Sequence, residues 1–307
     1  GANGYALQRA SAPLGMLGQQ AEATGGLAHW LMLDKLDLQD AAVLKDITVR
    51  LGLLQKKLAI KERLIVQVTA GQEQEGPVVR TVADFIRSFE ASGELLIPVR
   101  RDFGLSDLGA RELFRVPATV SYTAVVTDSA PVGSPLQAAQ QVLATMLTTN
   151  ELWVRIRGNG GAYGVSTQLD LLEQLFLFST YRDPRIAGSL ADYDAALKET
   201  AATPPESSAV EDALIMIVGK EIRPLSPRQK AGVTFRRDLY RFTDDFRAYF
   251  RSLVCAVTPQ DISRAAEDIL ERLGRHSRTV ILGGKALLEK EGGSNMEIQV
   301  PIQKLPL

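Results

Sequence analysis

The chain has 307 residues, of which 45% are apolar and 23% charged, a composition typical of globular proteins with about two domains. Its 35 basic and 36 acidic residues give a net charge of -1, which excludes a general electrostatic attraction to nucleic acid or to anionic membranes. No segment approaches the ~20 consecutive apolar residues that cross a bilayer, and the N-terminus lacks the features of a signal peptide. We therefore expect a soluble protein of the cytoplasm or of an organellar matrix, with neither nucleic acid nor a membrane as partner.

The first part of the chain is rich in predicted helices. Apolar residues predict helices over Leu27–Leu33 and Asp40–Leu58, and we expect one face of each to be buried. The β-branched run Leu64–Thr69 predicts a strand, and proline in the first turn predicts a helix over Pro77–Phe89. Because a single strand needs partners, residues 1–92 are interpreted as part of a domain whose remainder lies outside this chain. The absence of an initiating methionine also suggests a longer polypeptide.

A polar, glycine-bearing linker is expected at residues 93–111, and a new pattern follows it. Alternating residues over Phe114–Val126 predict a strand. Ser134 and Pro135 begin a predicted helix, and a second short helix is expected over Glu151–Arg157. Two further segments, Ala162–Asp170 and Glu173–Thr180, predict an antiparallel hairpin whose second strand is buried on both faces.

Most of the remaining residues are predicted to form helices, and each predicted helix begins with capping residues. The four predicted starts are Asp183–Pro184, Ser208 with Glu211, Ser226–Pro227, and Thr258–Pro259 with Asp261. The apolar run Arg278–Gly283 predicts a closing strand. This order of strands, helices and a last strand predicts an α+β domain over residues 112–307, with helices packed on one face of the sheet.

The segment from Arg157 to Gly164 is the strongest candidate for a binding site. A turn built from Gly158, Asn159, Gly160 and Gly161 allows the guanidinium of Arg157 and the phenol of Tyr163 to face the same point. A purely structural turn is the alternative. A phosphate-binding loop is set aside, because no Lys-Ser or Lys-Thr pair follows the glycines and a strand, not a helix, comes next.

Two motifs give this segment a family resemblance. Arg157-x-x-Gly160-Gly161-Ala162-Tyr163-Gly164, followed by Ser179-Thr180-Tyr181-Arg182-Asp183-Pro184, closely resembles the C-terminal half of the presequence-protease and falcilysin branch of the M16 (pitrilysin, insulinase-like) zinc metallopeptidases. Gly4-Tyr5-Ala6-Leu7 and the segment Pro224-x-x-Pro227-x-x-Lys230-Ala231-Gly232 are also similar to that branch. The resemblance extends over nearly the whole chain.

The resemblance implies a clamshell of four α+β domains of the LuxS/MPP-like metallohydrolase fold. Residues 1–92 would belong to the third domain and residues 112–307 to the fourth. The N-terminal half of the same polypeptide would carry zinc on an inverted His-x-x-Glu-His motif, and Arg157 and Tyr163 would reach a peptide substrate across the closed chamber. This chain alone is then expected to be inactive. A catalytically inactive M16-like scaffold or peptide-binding domain is the alternative.

No zinc site is predicted on the chain itself. His29 and His276 are its only histidines, they lie in unrelated segments, and no acidic residue frames either of them as the motif requires. We expect His29 to be partly buried, His276 to be exposed and the single cysteine, Cys255, to be a buried thiol.

Two further features have structural interpretations. Arg182 and Asp183 resemble a catalytic pair, but Asp183 before Pro184 favours a helix cap with Arg182 as its ion-pair neighbour. The basic stretch Lys220–Arg251 is typical of solvated helix faces. Lining of a chamber for acidic or extended peptides is the alternative for this stretch.

Overall fold

The computed structural model describes residues 1–91, 103–105 and 108–291, together with the backbone of 298–301. These residues form two compact units. Unit 1 comprises Gly1–Trp30, Asp102–Ile222 and Asp245–Leu307, and unit 2 comprises Leu31–Arg101 and Arg223–Asp244. No helix among the described residues is long and apolar enough to cross a membrane.

The two units do not follow the predicted division of the chain. The N-terminal segment Gly1–Trp30 belongs to the unit that contains the sheet, and Arg223–Asp244 belongs to the other unit. The first helix packs against strands that lie far along the chain, a contact that local sequence patterns do not reveal. The predicted linker, residues 93–111, lies largely outside the described residues. The assignment of residues 1–92 and 112–307 to a third and a fourth M16-like domain stays a prediction.

The strands of unit 1 form one mixed sheet. In chain order they are β1 Arg111–Arg115, β2 Ser121–Asp128, β3 Gly164–Asp170, β4 Leu175–Tyr181, β5 Arg278–Gly283 and β6 Ile298–Pro301. Their order in the sheet is β3-β4-β2-β5-β1-β6. The pairs β3–β4, β4–β2 and β2–β5 are antiparallel, whereas β5–β1 and β1–β6 are parallel. The predicted α+β class and antiparallel-rich sheet are confirmed, as are the hairpin and the closing strand.

The helices alternate with these strands along the chain. In chain order they are α1 Ala2–Ser11, α2 Met16–Gly25, α3 Leu27–Asp34, α4 Ala41–Leu58, α5 Glu75–Arg87, α6 Pro135–Thr149, α7 Ala187–Ala202, α8 Ser207–Ile222, α9 Pro227–Leu239, α10 Asp244–Cys255, α11 Pro259–His276 and α12 Lys285–Glu291. A π-helix, Trp153–Asn159, follows α6. The boundary between the units falls within α3, and α4, α5 and α9 belong to unit 2.

Most predicted helix starts are confirmed by side-chain caps. The hydroxyl of Ser134 accepts a hydrogen bond from the backbone N–H of Gln137 at 3.1 Å, and Ser226 and Thr258 each form a capping box. The prediction for Ser208 is wrong. Helix α8 already begins at Ser207, so Ser208 lies in its first turn and does not cap it.

The predicted strand Phe114–Val126 is divided in two. Strand β1 ends at Arg115 and β2 begins at Ser121, and the two flank β5 in the sheet. Between them lies Pro117, which has no backbone N–H to donate to a ladder. The loop also passes very close to Gly284, where a Cβ would lie 1.8 Å from the carbonyl oxygen of Ala118. The interruption therefore carries the chain across the end of β5.

The main core of unit 1 lies between the sheet and helices α6, α7, α8 and α11. Val125, Phe176 and Phe178 supply the sheet side of this core, and the ring of Phe178 lies 4.8 Å from that of Tyr193. Each such fully buried side chain contributes about 1.5–3 kcal/mol through removal of apolar surface from water. The opposite face of β2 is also covered, since Ala124 is fully buried and α1 packs against β2 and β5. Helix α1 therefore packs on the second face of the sheet, whereas the sequence predicts helices on one face only.

A buried ionic cluster holds α1 to the sheet. The guanidinium of Arg9 donates two hydrogen bonds to the carboxylate of Glu112 on β1, at 2.9 and 2.7 Å, and one to Glu22 Oε1 at 3.3 Å. Glu22 is fully buried, and its second oxygen has no hydrogen-bond partner among the described residues. Burial raises the pKa of Glu22 above its ordinary value of 4.5, against the opposing effects of the Ala28 N–H and Arg9.

Unit 2 corrects two predictions. The run Leu64–Thr69 forms no strand, because no ladder partner is present among the described residues. Helix α4 forms as predicted, with Asp40 as its N-cap, but none of its residues is buried. Its apolar side chains, such as Leu51 at 59% exposure, face solvent in the described unit.

The raised pKa of Glu22 predicts a specific dependence of stability on pH. A carboxyl group whose pKa is higher in the folded protein binds more protons there than when unfolded. Its contribution to stability is therefore complete below pH 4.5 and is lost as the pH rises through the folded pKa. Glu22→Gln removes this titration. The free energy of unfolding of the variant should therefore fall less steeply with rising pH than that of the wild type, with a difference in slope of up to about 1.4 kcal/mol per pH unit.

Urea unfolding between pH 4 and 8, followed by circular dichroism, measures this effect. Glu271→Gln is the control, because Glu271 is an exposed carboxylate paired with Arg275. Parallel pH profiles of the Glu22→Gln variant and the wild type would show that Glu22 does not titrate differently on folding.

Candidate functional site

The candidate site begins in a π-helix. The helix predicted over Glu151–Arg157 is present, and from Trp153 to Asn159 it has the wide π-helical turn. Such turns are rare and frequently occur at functional sites. The turn is closed when the N–H of Ala162 donates to the carbonyl of Ile156 at 3.1 Å. Strand β3 begins two residues after Ala162.

Two of the four glycines between positions 158 and 164, Gly160 and Gly161, are required by the geometry of this turn. Gly161 has a φ of 81°, which side-chain-bearing residues rarely adopt. At Gly160 a Cβ would lie 1.9 Å from Nη2 of Arg185 and 2.5 Å from the carbonyl oxygen of Ile156. Gly158 and Gly164 have ordinary backbone angles and only ordinary contacts, so Gly161 alone in this turn has a positive φ. Asn159 is exposed.

The turn brings Arg157 and Tyr163 together. The guanidinium carbon of Arg157 lies 4.3 Å from the ring centroid of Trp153 and 5.5 Å from that of Tyr163. Its Nη1 donates to the carbonyl oxygen of Tyr163 at 2.7 Å. Both side chains are exposed, and Tyr163 has 64% of its surface accessible. Cation–π contact with two rings orients the guanidinium while its remaining N–H groups stay available.

A series of tyrosine rings continues from this turn to the end of β4. Tyr163 lies 5.7 Å from Tyr181, and Tyr181 lies 5.6 Å from Tyr122, both in edge-to-face contact. The N–H of Tyr163 also donates to the carbonyl of Arg182 at 3.3 Å. We call Tyr163, Tyr181 and Tyr122 the tyrosine series.

Asp183 has a different role from the predicted helix cap. Helix α7 begins only at Ala187, and Asp183 is fully buried before it. Its carboxylate accepts hydrogen bonds from the N–H of Arg185 at 3.0 Å and from the hydroxyl of Ser189 at 2.5 Å. Burial raises its pKa above the ordinary value, more strongly than these bonds lower it. The described contacts include no ion pair between Asp183 and Arg182.

Arg185 is a positioning residue that the sequence patterns missed. Its Nη2 donates to the carbonyl of Arg155 in the π-helix region at 3.3 Å and to Asp192 on α7 at 2.9 Å. The same guanidinium lies where a Cβ on Gly160 would be. Arg185 therefore ties the glycine turn to α7, and no local signal in the sequence indicates this distant contact.

A cleft of about 960 Å³ lies at the same end of the sheet. Its wall is the loop from Arg115 to Val120, and Tyr122 and Tyr181 of the tyrosine series also line it. Its lining includes, among the residues that the structure describes, no acidic side chain and three cationic ones, Arg115, Arg182 and Lys285. We call this the basic cleft.

The described part of the chain contains no group of three or more His, Cys, Asp or Glu residues that could hold a metal ion. His29 is half-buried and His276 is exposed, as predicted. Cys255, however, is exposed and not buried. Cys255 is the last residue of α10. The buried face of this helix contains Phe250 and Val254, and Cys255 lies outside that face.

The close packing at Gly160 gives a direct test of the turn. Gly160→Ala should lower the free energy of unfolding by about 1–3 kcal/mol, because the new methyl group displaces Arg185 or the Ile156 carbonyl. Gly158→Ala is the matched control, since its Cβ would meet only the Trp153 carbonyl at 3.7 Å. There we expect no loss, or a gain of up to about 1 kcal/mol. Equal losses in urea unfolding would contradict this geometry.

Comparison with known proteins places these features in a family. The family model described as "PreP C-terminal domain" matches residues 111–283. The mitochondrial presequence protease of Yarrowia lipolytica is 24% identical over 95% of this chain and 29% of its own length. Presequence protease 1, chloroplastic/mitochondrial, of Arabidopsis thaliana is 25% identical over 87% of this chain and 24% of its own length. The chain thus spans about a quarter of the length of these relatives.

A solved structure supports the same fold. A protease from Helicobacter pylori superposes with a TM-score of 0.51 at 16% sequence identity, covering 70% of this chain and 53% of the other. The resemblance to the presequence-protease branch of the M16 peptidases, predicted from the motifs, is confirmed. Since the family model covers more than half of the chain, from β1 through the glycine turn to β5, the chain belongs to the PreP C-terminal domain family.

Proposed function

We propose that this chain is the C-terminal, non-zinc-binding half of a zinc-dependent metalloendopeptidase that degrades short unstructured peptides. In this proposal the chain closes over the substrate. Arg157 and Tyr163 then donate hydrogen bonds at an active site whose metal is bound by the N-terminal half of the same polypeptide.

The observation that carries the proposal is the pair of exposed donors on a rigid turn. The guanidinium of Arg157 donates a hydrogen bond to the backbone carbonyl of Tyr163 and contacts its ring, and both side chains are open to solvent. The described contacts of Arg157 include no carboxylate partner. An oriented guanidinium, and a phenol with no acceptor among the described residues, are suited to bind an external acceptor.

Peptide hydrolysis develops negative charge on the carbonyl oxygen, which hydrogen-bond donors such as these can stabilise. Zinc, where bound, would polarise the scissile carbonyl and activate water for attack. As water adds, negative charge develops on the carbonyl oxygen. A donor already aimed at that oxygen stabilises the transition state by about 3 kcal/mol, because it requires no reorganisation during the reaction. A guanidinium stays charged at physiological pH, and the phenol adds a neutral donor.

The side chains of this chain do not fit the zinc site itself. The two histidines lie on α3 and at the end of α11, and no cluster of ligands forms among the described residues. Catalytic zinc ordinarily takes three protein ligands, so we assign the metal to the other half.

The exposed apolar side chains of unit 2 support a covering partner. Helix α4 has 18 residues and none is buried. Leu51, Leu54 and Leu58 recur at helical spacing and are each at least 50% exposed. Exposed apolar side chains of this kind mark an interaction surface in a soluble protein. We assign its cover to the N-terminal half of the same polypeptide.

The names of the relatives support a peptide substrate and are compatible with an organellar matrix. Two of them are named as presequence proteases, one of mitochondria and one of chloroplasts and mitochondria. We propose the same class of activity here, in an organellar matrix or in the cytoplasm. A noncatalytic scaffold is the alternative, and the exposed donor pair favours the enzyme.

Substitution of the donor pair tests the proposed role. In the complete polypeptide that carries this chain, Arg157→Ala or Tyr163→Phe should reduce peptide turnover at least about tenfold, because each removes a donor used mainly in the transition state. Zinc content should stay unchanged. The measurement is kcat and KM on an unstructured peptide, with thermal unfolding measured on the same samples.

Two controls separate this role from a structural one. Tyr249→Phe removes a phenol that is 51% exposed on α10, and Arg275→Ala removes an exposed guanidinium of α11. Both should retain wild-type turnover. Loss of stability with unchanged turnover in the Arg157 and Tyr163 variants would assign the turn a structural role and exclude the proposal.

The assignment of zinc to another half has its own test. The isolated 307-residue chain should show no metal-dependent hydrolysis of an unstructured peptide when zinc is added, because it lacks the ligands. Hydrolysis is measured by mass spectrometry, with and without a chelator. Cleavage by this chain alone that the chelator abolishes would contradict the assignment.

A further inference from the structure

We propose that the basic cleft is a carboxylate-binding subsite that holds an acidic group of a peptide lying across Arg157 and Tyr163. The group is either the C-terminal carboxylate or an acidic side chain. This inference deepens the proposed function and rests on it, because it requires that the chain bind peptides.

The charge of the cleft is the first observation that supports a carboxylate. Arg115 and Arg182 form no ion pair with any described residue. Nζ of Lys285 lies 3.7 Å from Oε1 of Glu289, which is a long ion pair between two exposed side chains. Because none of the described residues that line the cleft is acidic, its cations create a local positive potential in a chain whose net charge is only -1.

The backbone of Arg182 is the second observation. Arg182 has a φ of 51°, a left-handed conformation that is costly for a residue with a long side chain. Its carbonyl accepts the hydrogen bond from the N–H of Tyr163, and Asp183 beside it is anchored to Ser121. This conformation places Arg182 in the lining of the cleft. Strain that the surrounding structure maintains at a ligand-sized cleft is a mark of binding sites.

The tyrosine series is the third observation, because it joins the cleft to the candidate site. Tyr181 and Tyr122 line the cleft, and Tyr163 stands at the other end of the series beside Arg157. Ring spacings below 6 Å over two steps correspond to roughly three residues of extended peptide. One peptide can therefore contact Arg157 and the basic cleft together.

The composition of the cleft favours a peptide carboxylate over a polyphosphate or nucleic acid. Arginine forks bind carboxylates through two parallel hydrogen bonds. Val116, Pro117 and Val120 form apolar parts of the wall, which suit the side chains of a peptide. The three cations of the cleft lie in one concave site and do not form the extended basic stripe that a nucleic-acid backbone requires.

The test is an equilibrium binding measurement with the 307-residue chain. One fluorescent peptide is compared as its free C-terminal acid and its C-terminal amide, and a second pair differs by Glu against Gln near the C-terminus. We expect one of the two acidic forms to bind about fivefold more tightly than its neutral match, and the pair that shows the preference identifies the source of the carboxylate.

Charge-removing variants locate the effect. Arg182→Gln, Arg115→Gln and Lys285→Gln should each reduce the acid preference toward unity, while Arg275→Gln, on a distant exposed turn of α11, should preserve it. Lys285 is an exposed residue at the start of α12, so its variant should fold even where a substitution in β1 does not. Circular dichroism and thermal unfolding verify the fold of each.

Three results would overturn the inference. Equal affinity for acidic and neutral peptides excludes the carboxylate subsite while leaving the proposed peptidase intact. Stronger competition by tripolyphosphate than by an acidic peptide assigns the cleft to a phosphate ligand. Absence of any peptide binding by the 307-residue chain also contradicts the subsite, whereas the proposed function is tested separately by turnover in the complete polypeptide. Loss of turnover in the Arg157 variant with normal acid preference leaves the subsite standing.

Discussion

The pairing of Ser121 with Asp183 is the contact on which the geometry of the site depends. The two residues exchange backbone hydrogen bonds of 2.7 and 2.9 Å, and the Ser121 hydroxyl donates to the carbonyl of Arg185 at 2.8 Å. Asp183, fully buried, receives the N–H of Arg185 and the hydroxyl of Ser189. A buried carboxylate is costly unless its acceptors are satisfied, so this network holds the segment between β4 and α7 in one conformation.

The two surfaces of the proposed site are positioned from this network. On one side, the carbonyl of Arg182 receives the N–H of Tyr163, and the guanidinium of Arg185 packs against Gly160. These contacts fix the turn that presents Arg157 and Tyr163. On the other side, Arg182 is directed into the basic cleft by its left-handed backbone. The proposed donor pair and the basic cleft thus belong to one connected set of contacts, which suits the oriented peptide binding that we propose.

The sequence predicts those parts of the fold that local chemistry decides. Ser134, Ser226 and Thr258 cap the helices that they were expected to cap, because a cap needs only the next few residues. The strand at Arg278–Gly283 and the helix leading to Arg157 were also predicted. The family motif drew attention to Arg157 and Tyr163, and their proximity follows from a turn of a few residues.

The errors arise where a distant part of the chain decides the outcome. Leu64–Thr69 has the composition of a strand but no ladder partner among the described residues. The strand predicted across Pro117 is divided because β5, far along the chain, lies between its two parts. Asp183 was predicted as a helix cap and is instead a buried anchor, and neither Arg185 nor the basic cleft was predicted, since these roles depend on contacts between segments such as β2 and the loop after β4. Local patterns contain no information on such pairings.

A cross-linking measurement tests most directly whether a peptide lies at the donor pair. The photoreactive residue p-benzoylphenylalanine is placed at position 163 of the complete polypeptide, in place of Tyr163, and in a second sample at position 249, in place of Tyr249. Each sample is irradiated with a slowly cleaved peptide, and the adducts are mapped by mass spectrometry. If Tyr163 faces the bound substrate, the peptide cross-links at position 163 and not at position 249. Equal labelling at both positions, or none at position 163, would show that the substrate does not reach the turn.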